Sequence, residues 1–313
     1  MARIPRTEIE IFPINLGGNT FGWTSDRDTS FAVLDAFVAA GGNFIDTADS
    51  YAQWQEGSDG GDSERVLGEW MQERGNRGEV IIATKVGGLS SRKGLSRENA
   101  DAALNESLER LQTDYVDIYY AHYDDESVAI DEQVQIAHDL VQSGRVRHVA
   151  LSNFTPERMR EWFETAKSAN LTLPVAIQPQ YNLVARAGYE QGYAHIAREF
   201  DAAVFPYFSL ASGFLTGKYR QASDLEGAAR QGMASGYATD EGFTVVDALV
   251  EVAEARGVEP TTVALAWLLA KGVTAPIASA SKPEQLPAIM AAPSLELTAD
   301  EVATLDAASA PFA

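Results

Sequence analysis

Apolar and polar residues follow two periods along this chain, and the two take turns. Short runs that are apolar on both faces predict strands at residues 9–16, 43–45, 80–84, 116–121, 146–151, 174–177, 202–206 and 273–277. Between them, apolar residues three and four apart predict helices at 28–40, 63–74, 97–111, 131–142, 155–168, 189–199, 243–255 and 261–270. Two more helices follow at 283–291 and 299–307. The stops and starts agree with this division. Gly41-Gly42 and Gly144 end helices, Ser63 is placed to cap one, and Thr155-Pro156-Glu157 sets proline in a first turn. Strand and helix recur roughly every 30 to 40 residues, the rhythm of βα units feeding a parallel sheet.

About eight units fit, which predicts a (β/α)8 barrel. The rival is a doubly wound open sheet, marked by Gly-x-Gly-x-x-Gly after its first strand. Gly17-Gly18-Asn19-Thr20-Phe21-Gly22 lacks that spacing. No linker or low-complexity tract interrupts the pattern, so residues 1–313 read as a single domain. Two predicted loops, 51–62 and 209–242, exceed ordinary connection lengths. In a barrel both lie on the C-terminal face, as a substrate wall and a cofactor flap.

Composition narrows the class. No stretch approaches the ~20 apolar residues that span a bilayer, and Met1–Arg6 precedes no apolar segment of the kind a signal peptide carries. A cytoplasmic location is expected. With no cysteine there is neither a disulfide nor a thiolate nucleophile. The net charge of −21, without a Lys/Arg cluster, argues against nucleic acid. Of four histidines only His122 sits at a strand end, and no His-x-His occurs, so no metal site is expected.

The chemistry gathers just past the strand ends. Asp46, Lys85, His122, Ser152 with Asn153, Gln178, Tyr207, and Ser279 with Ser281 and Lys282 follow successive strands, where barrel enzymes place their sites. An acid at the tip of a buried strand needs a cation. Lys85 is that cation, and Tyr51, five residues beyond Asp46, is a proton donor beside the pair. Near the ammonium its pKa is expected to fall from ~10 towards neutrality. His122 orients a carbonyl. Asp49 reads as a solvated loop residue. This set supplies an acid but no reductant, so the electrons must come from a cofactor. Tyr207 offers a ring to stack on a flat group. Ser152, Asn153 and Gln178 offer the partners of a carboxamide. Ser279, Ser281 and Lys282, ahead of a helix at Pro283, offer an anion site. Trp23, Trp54 and Tyr123 either line the substrate pocket or pack; the sequence leaves both open.

These motifs together resemble the aldo-keto reductase family. They are Gly42-Asn43-Phe44-Ile45-Asp46-Thr47-Ala48-Asp49-Ser50-Tyr51, Ala83-Thr84-Lys85-Val86, Asp117-Ile118-Tyr119-Tyr120-Ala121-His122, Leu151-Ser152-Asn153-Phe154 and Ser281-Lys282-Pro283-Glu284-Gln285-Leu286. Tyr181-Asn182-Leu183 and Leu215-Thr216-Gly217-Lys218 resemble its bacterial and potassium-channel β-subunit-like branch. The resemblance implies a TIM barrel with an N-terminal β-hairpin and a C-terminal extra helix. It implies a catalytic tetrad of Asp46, Tyr51, Lys85 and His122, and NADP(H) held without a Rossmann fold. Ser209, Leu210, Ser212 and Gly213 then belong to the flap over the pyrophosphate, with charge from Lys218 and Arg230. Gln285 stands where many members carry an arginine for the 2′-phosphate, and Ala288 and Ile289 replace the usual pair beyond it. NADP(H) is expected, with NAD(H) the weaker alternative. The implied activity is NADPH-dependent reduction of a small-molecule carbonyl with Tyr51 as general acid, without an obligate protein partner. The alternative is a nucleotide-sensing interaction module with vestigial activity.

Overall fold

A computed structural model describes residues 1–226 and 231–313; Arg230 lies outside the described residues. The chain opens with β1 (Ala2–Arg3) and β2 (Glu10–Ile11), an antiparallel hairpin with Ala2 opposite Ile11. The barrel strands follow: β3 (Asn15–Gly17), β4 (Phe44–Asp46), β5 (Ile81–Val86), β6 (Val116–Ala121), β7 (Val146–Ser152), β8 (Ala176–Gln178), β9 (Ala203–Val204) and β10 (Ile277–Ala278). All neighbours are parallel, in the order β10-β3-β4-β5-β6-β7-β8-β9. The ring closes where the Thr274 and Ala275 N–H groups donate to the Val204 carbonyl and Ile277 N–H to that of Pro206. The fold is the (β/α)8 barrel that the alternation predicts.

The helices are α1 (Arg27–Ala39), α2 (Asp62–Arg74), α3 (Arg97–Leu111), α4 (Ile130–Gln142), α5 (Pro156–Ser168), α6 (Ala194–Glu199), α7 (Gln231–Ala234), α8 (Asp240–Arg256), α9 (Pro260–Ala270), α10 (Leu286–Met290) and α11 (Ala299–Ala308). Asp26, Ser96, Thr155, Thr239 and Thr298 cap five of them, each accepting the backbone N–H three residues further on. None of the described helices is long and apolar enough to cross a membrane.

The barrel interior mixes rings with very small residues. Phe44, Tyr120 and Phe205 fill space that Ala83, Ala150, Ala176, Ala203 and Ala275 leave open, and Phe44 meets Phe205 edge-on at 4.9 Å. Ile4 and Ile11 of the hairpin complete this cluster. The hairpin is hooked on by Asn43, which donates to the Glu10 carbonyl and accepts from Phe12 N–H. A second, larger apolar layer lies between strands and helices.

Four elements differ from their sequence reading. The strand at 9–16 divides around Pro13, because Glu10–Ile11 serves the hairpin and Asn15–Gly17 the barrel. Residues 189–199 are a π-helix, Gly188–Tyr193, running into α6. The flap is not one loop but holds short helical turns at Ala211–Thr216 and Ala222–Leu225, besides α7. Ser63 does not cap α2. Gly61 in a left-handed conformation (φ 75°) precedes that helix, while the Ser63 hydroxyl is buried, accepting from Thr47 and donating to the Gly18 carbonyl.

Behind the strands lies a buried ionic cluster. Glu64, fully buried on α2, accepts from Thr84 Oγ1 at 2.5 Å and from Arg110 Nε of α3 at 2.6 Å. Asp49 is 1% exposed, so it is not the solvated residue expected, and the charges of Glu64 on α2 and Arg110 on α3 act on it. Its Oδ1 has no hydrogen-bond partner. Burial, helped by Glu64, raises its pKa to about 7 against the opposing pull of Arg110, Arg92 and Lys85.

Two predictions follow from this cluster. Arg110→Met leaves the Glu64 carboxylate uncompensated and should lower unfolding free energy by about 3 to 5 kcal/mol; an unchanged urea midpoint would refute the pair's role. Asp49 binds its proton more tightly folded than unfolded, where its pKa is about 3.9. It therefore opposes folding progressively as pH rises from about 4 to 7, and fully above that. Asp49→Asn should raise the melting temperature at pH ~8 and leave it nearly unchanged at pH ~4; a variant less stable than wild type at the higher pH would contradict this sign.

Candidate active site

Each strand ends at the same rim, and the polar residues of the sequence reading stand on it. Asp46 closes β4, Lys85 is the penultimate residue of β5, His122 follows β6, Ser152 closes β7 and Gln178 closes β8. Asp46 is 1% and Lys85 0% exposed. The ammonium has three donors and fills all three: Asp46 Oδ2 at 2.5 Å, the Thr47 carbonyl at 2.8 Å and Tyr51 Oη at 3.0 Å. The Tyr51 hydroxyl also donates to Asp46 Oδ2 at 3.2 Å. The second oxygen of Asp46 accepts from Gln178 Nε2 at 2.9 Å. In the strand order β4 and β8 lie on opposite sides of the ring, so this bond crosses the barrel mouth.

The electrostatics correct one expectation. Burial lowers Lys85 from its ordinary value, with Asp46 the main opposing influence. Tyr51 is raised well above its ordinary value, by burial first and by the Asp46 carboxylate second. Its pKa does not fall towards neutrality, because it shares its site with an anion as well as with the ammonium. The phenol therefore keeps its proton at neutral pH. His122 is pushed well below its ordinary value by burial and then by Lys85, which leaves it a neutral imidazole. Its Nδ1 is buried without a hydrogen-bond partner. Its ring lies 6.4 Å from that of Tyr51.

Asn153 ties the remaining residues together. In a left-handed conformation (φ 54°), which asparagine tolerates, it donates to the His122 carbonyl and to Ser152 Oγ and accepts from Tyr207 Oη at 3.0 Å. Ser152 donates to the Gln178 carbonyl. His122, Ser152, Asn153, Gln178 and Tyr207 are thus one network, and Gln178 joins it to Asp46. Ser279, Ser281, Lys282 and Gln285 form a separate group. Ser279 donates to Asn19 Oδ1 at 2.5 Å, and Gln285 Oε1 accepts from Ser281 N–H and Oγ. Lys282 is exposed and has no ion pair among the described residues.

The flap residues Ser209, Leu210, Ser212 and Gly213 surround a strained turn. Phe208, Ala211, Ser212 and Gly213 all have positive φ (54°, 47°, 57° and 93°). The Ala211 and Gly213 N–H groups donate to the Phe208 and Leu210 carbonyls, which holds the turn in this shape. A Cβ built on Gly213 would stand 3.3 Å from the Lys218 ammonium, so cationic charge adjoins the turn. The Lys218 cation beside this turn and the Tyr207 ring just before it suit an anionic dinucleotide that carries a flat ring.

Three contributors escaped the sequence reading. The Thr47 carbonyl takes the third hydrogen bond of Lys85. Asn19 holds Ser279. Gly88 leaves room for the catalytic ring: a Cβ there would meet His122 Nδ1 at 2.7 Å and Tyr123 Cε2 at 3.2 Å. The Gly87-Gly88 pair just after an apolar strand was the available signal for the last; a backbone carbonyl leaves none.

Comparison with known proteins agrees with this geometry. The Aldo/keto reductase family profile matches residues 13–310. Protein tas of Escherichia coli (strain K12) is 29% identical, over 97% of this chain and 96% of that protein. The aldo-keto reductase ausK of Aspergillus calidoustus is 33% identical, over 96% of this chain and 80% of its own. A putative voltage-gated potassium channel subunit beta of Schizosaccharomyces pombe is 35% identical, over 90% of this chain and 84% of its own. Family members generally use nicotinamide cofactors, and the reductase names among the relatives accord with a barrel whose rim carries a buried Asp–Lys pair beside a tyrosine. The chain belongs to the aldo/keto reductase family of oxidoreductases.

Proposed function

We propose that residues 1–313 form one barrel domain that reduces an aldehyde or ketone with NADPH, Tyr51 acting as general acid. The observation that carries this reading is the Lys85 ammonium, 2.5 Å from Asp46 and 3.0 Å from the Tyr51 hydroxyl. The cofactor, when bound, supplies the hydride to the carbonyl carbon. Tyr51 gives its proton to the carbonyl oxygen, and Lys85, already donating to Oη, stabilises the phenolate left behind. Asp46 keeps the buried lysine charged and placed, assisted by Gln178. His122, neutral and close to Tyr51, donates a hydrogen bond that orients the carbonyl.

Ser152, Asn153 and Gln178 are assigned to the carboxamide, Tyr207 to the nicotinamide face, and Ser209, Leu210, Ser212, Gly213 and Lys218 to the pyrophosphate. Ser279, Ser281, Lys282 and Gln285 are assigned to the adenosine end. Lys282, exposed and without an ion pair among the described residues, is the cation assigned to a 2′-phosphate, which favours NADPH over NADH. The similarity to channel β-subunits keeps a nucleotide-sensing module as the second reading. A stable protein partner, with negligible NADPH oxidation across a broad carbonyl panel, would favour it.

Tyr51→Phe tests the acid role. NADPH affinity, followed by fluorescence titration, should stay within about twofold of wild type, while aldehyde turnover falls by roughly 10² to 10⁴. Turnover at the wild-type rate would remove Tyr51 from the mechanism.

A further inference from the structure

Among the described residues five large hydrophobic side chains are exposed, and three of them, Trp54 (50%), Tyr123 (49%) and Phe208 (43%), stand at the catalytic rim. Each touches a ring of the site. Trp54 lies 6.3 Å from Tyr51, Tyr123 4.6 Å from His122, and Phe208 5.2 Å from Tyr207. Exposed apolar side chains scattered singly need no explanation, whereas a group around one opening marks a binding surface.

The exposure of Trp54 is built in. Its loop leaves Tyr51 through Ala52, a fully buried residue held at φ 71°. Gln53 then donates to the Gly88 carbonyl and accepts from Ser90 N–H, while Gln55 donates to the Gly22 carbonyl at 2.6 Å. Gly61 N–H closes the loop on the Tyr51 carbonyl. The indole is thereby stapled between two neighbouring loops, edge-on to Trp23 with ring centroids 5.3 Å apart. Strained backbone retained by surrounding bonds is typical of ligand-contacting segments.

Charge defines the rest of the ligand. Residues 51–62 carry Glu56, Asp59 and Asp62, and residues 122–129 carry Asp124, Asp125 and Glu126, with no lysine or arginine in either segment. Both segments border the rim of a chain whose net charge is −21. Arg65 and Arg158 pair with Asp62 and Asp124, while Glu56, Asp59, Asp125 and Glu126 have no ion pair among the described residues, so the two segments keep a negative balance that would repel a substrate carboxylate. Lys85, the buried cation of the site, has its three donors already taken.

We propose that the rim selects neutral carbonyl compounds built on an aromatic ring system, and that Trp54 is the residue that sets this preference. The inference rests on the reductase reading for its chemistry, but its recognition element can be tested apart from turnover. Binding of naphthylmethanol to the cofactor-free protein is measured by calorimetry for wild type, Trp54→Ala and Trp54→Phe. The alanine variant should bind about tenfold more weakly, the size of one aromatic contact, and the phenylalanine variant should recover most of the loss. With NADPH, Trp54→Ala should raise KM for naphthaldehyde about tenfold and for butanal less than twofold. A carboxynaphthaldehyde should be a poorer substrate than naphthaldehyde by a similar factor in wild type. Unaltered naphthylmethanol binding in Trp54→Ala, an equal loss with butanal, or equal use of the carboxylated aldehyde would overturn the proposal. If wild type reduces no carbonyl at all, the reductase reading fails, and the calorimetric comparison alone decides the proposal.

Discussion

The structure depends on one ion pair. Lys85 and Asp46 sit at the barrel rim with their side chains essentially shielded from water. Taking two such charges out of water costs several kcal/mol each, and their attraction offsets this only when every remaining donor and acceptor is met. Here they are met from three strands and the loop that follows β4. β4 supplies the acid, and the residue after it supplies the Thr47 carbonyl. β5 supplies the lysine, Tyr51 the hydroxyl, and β8 sends Gln178 across the mouth to the free oxygen of Asp46. A parallel barrel can do this because its strands end at one level. The register that pairs Asp46 with Ala83 on the neighbouring strand leaves Lys85 two residues higher, within reach of the carboxylate.

The same pair ties the two sides of the barrel mouth together. Gln178 is at once a partner of Asp46 and the end of the network running through Ser152, Asn153, Tyr207 and the His122 carbonyl. Displacing any one amide in that chain moves an oxygen or a ring that another residue needs. The strain at Phe208, Ala211 and Ser212 has the same logic. Left-handed backbone at three non-glycine residues is unfavourable by about 1 kcal/mol or more each. Such conformations persist only where the surroundings dictate them, and this turn lies directly after Tyr207.

Much of this was legible in the sequence because it is written in local terms. Apolar runs such as 80–84 and 116–121 mark strands whatever surrounds them, and a polar residue following each run marks the rim. Asp46, Lys85 and His122 were found that way. What escaped depends on residues far apart in the chain. Asp49 lies in a loop with nothing local to signal burial, yet it is buried beside Glu64 and Arg110, which come from α2 and α3. Ser63 has the look of a cap, but Thr47 and Gly18 claim its hydroxyl. The division at Pro13 and the π-helix at Gly188–Tyr193 likewise answer to the hairpin and to packing rather than to periodicity. The direction of the Tyr51 shift was misjudged for a related reason. A lysine beside a tyrosine argues for a lowered pKa, yet the carboxylate that keeps the lysine charged lies almost as near, and burial acts in the same sense as that carboxylate.

That reversal bears on the direction of the proposed reaction. A phenol held protonated by burial and by Asp46 is a loaded acid at any ordinary pH, which suits reduction, where a proton must be given. Oxidation of an alcohol would pass through the same arrangement in reverse, with the phenolate as base. The cost of forming that phenolate appears only as the carbonyl oxygen gains charge and draws the proton, when Lys85, 3.0 Å away, is already aimed at the oxygen being vacated. In the proposed reaction the ammonium would act chiefly in the transition state, and Asp46 would serve not by moving a proton but by keeping charged a lysine that burial pushes towards neutrality.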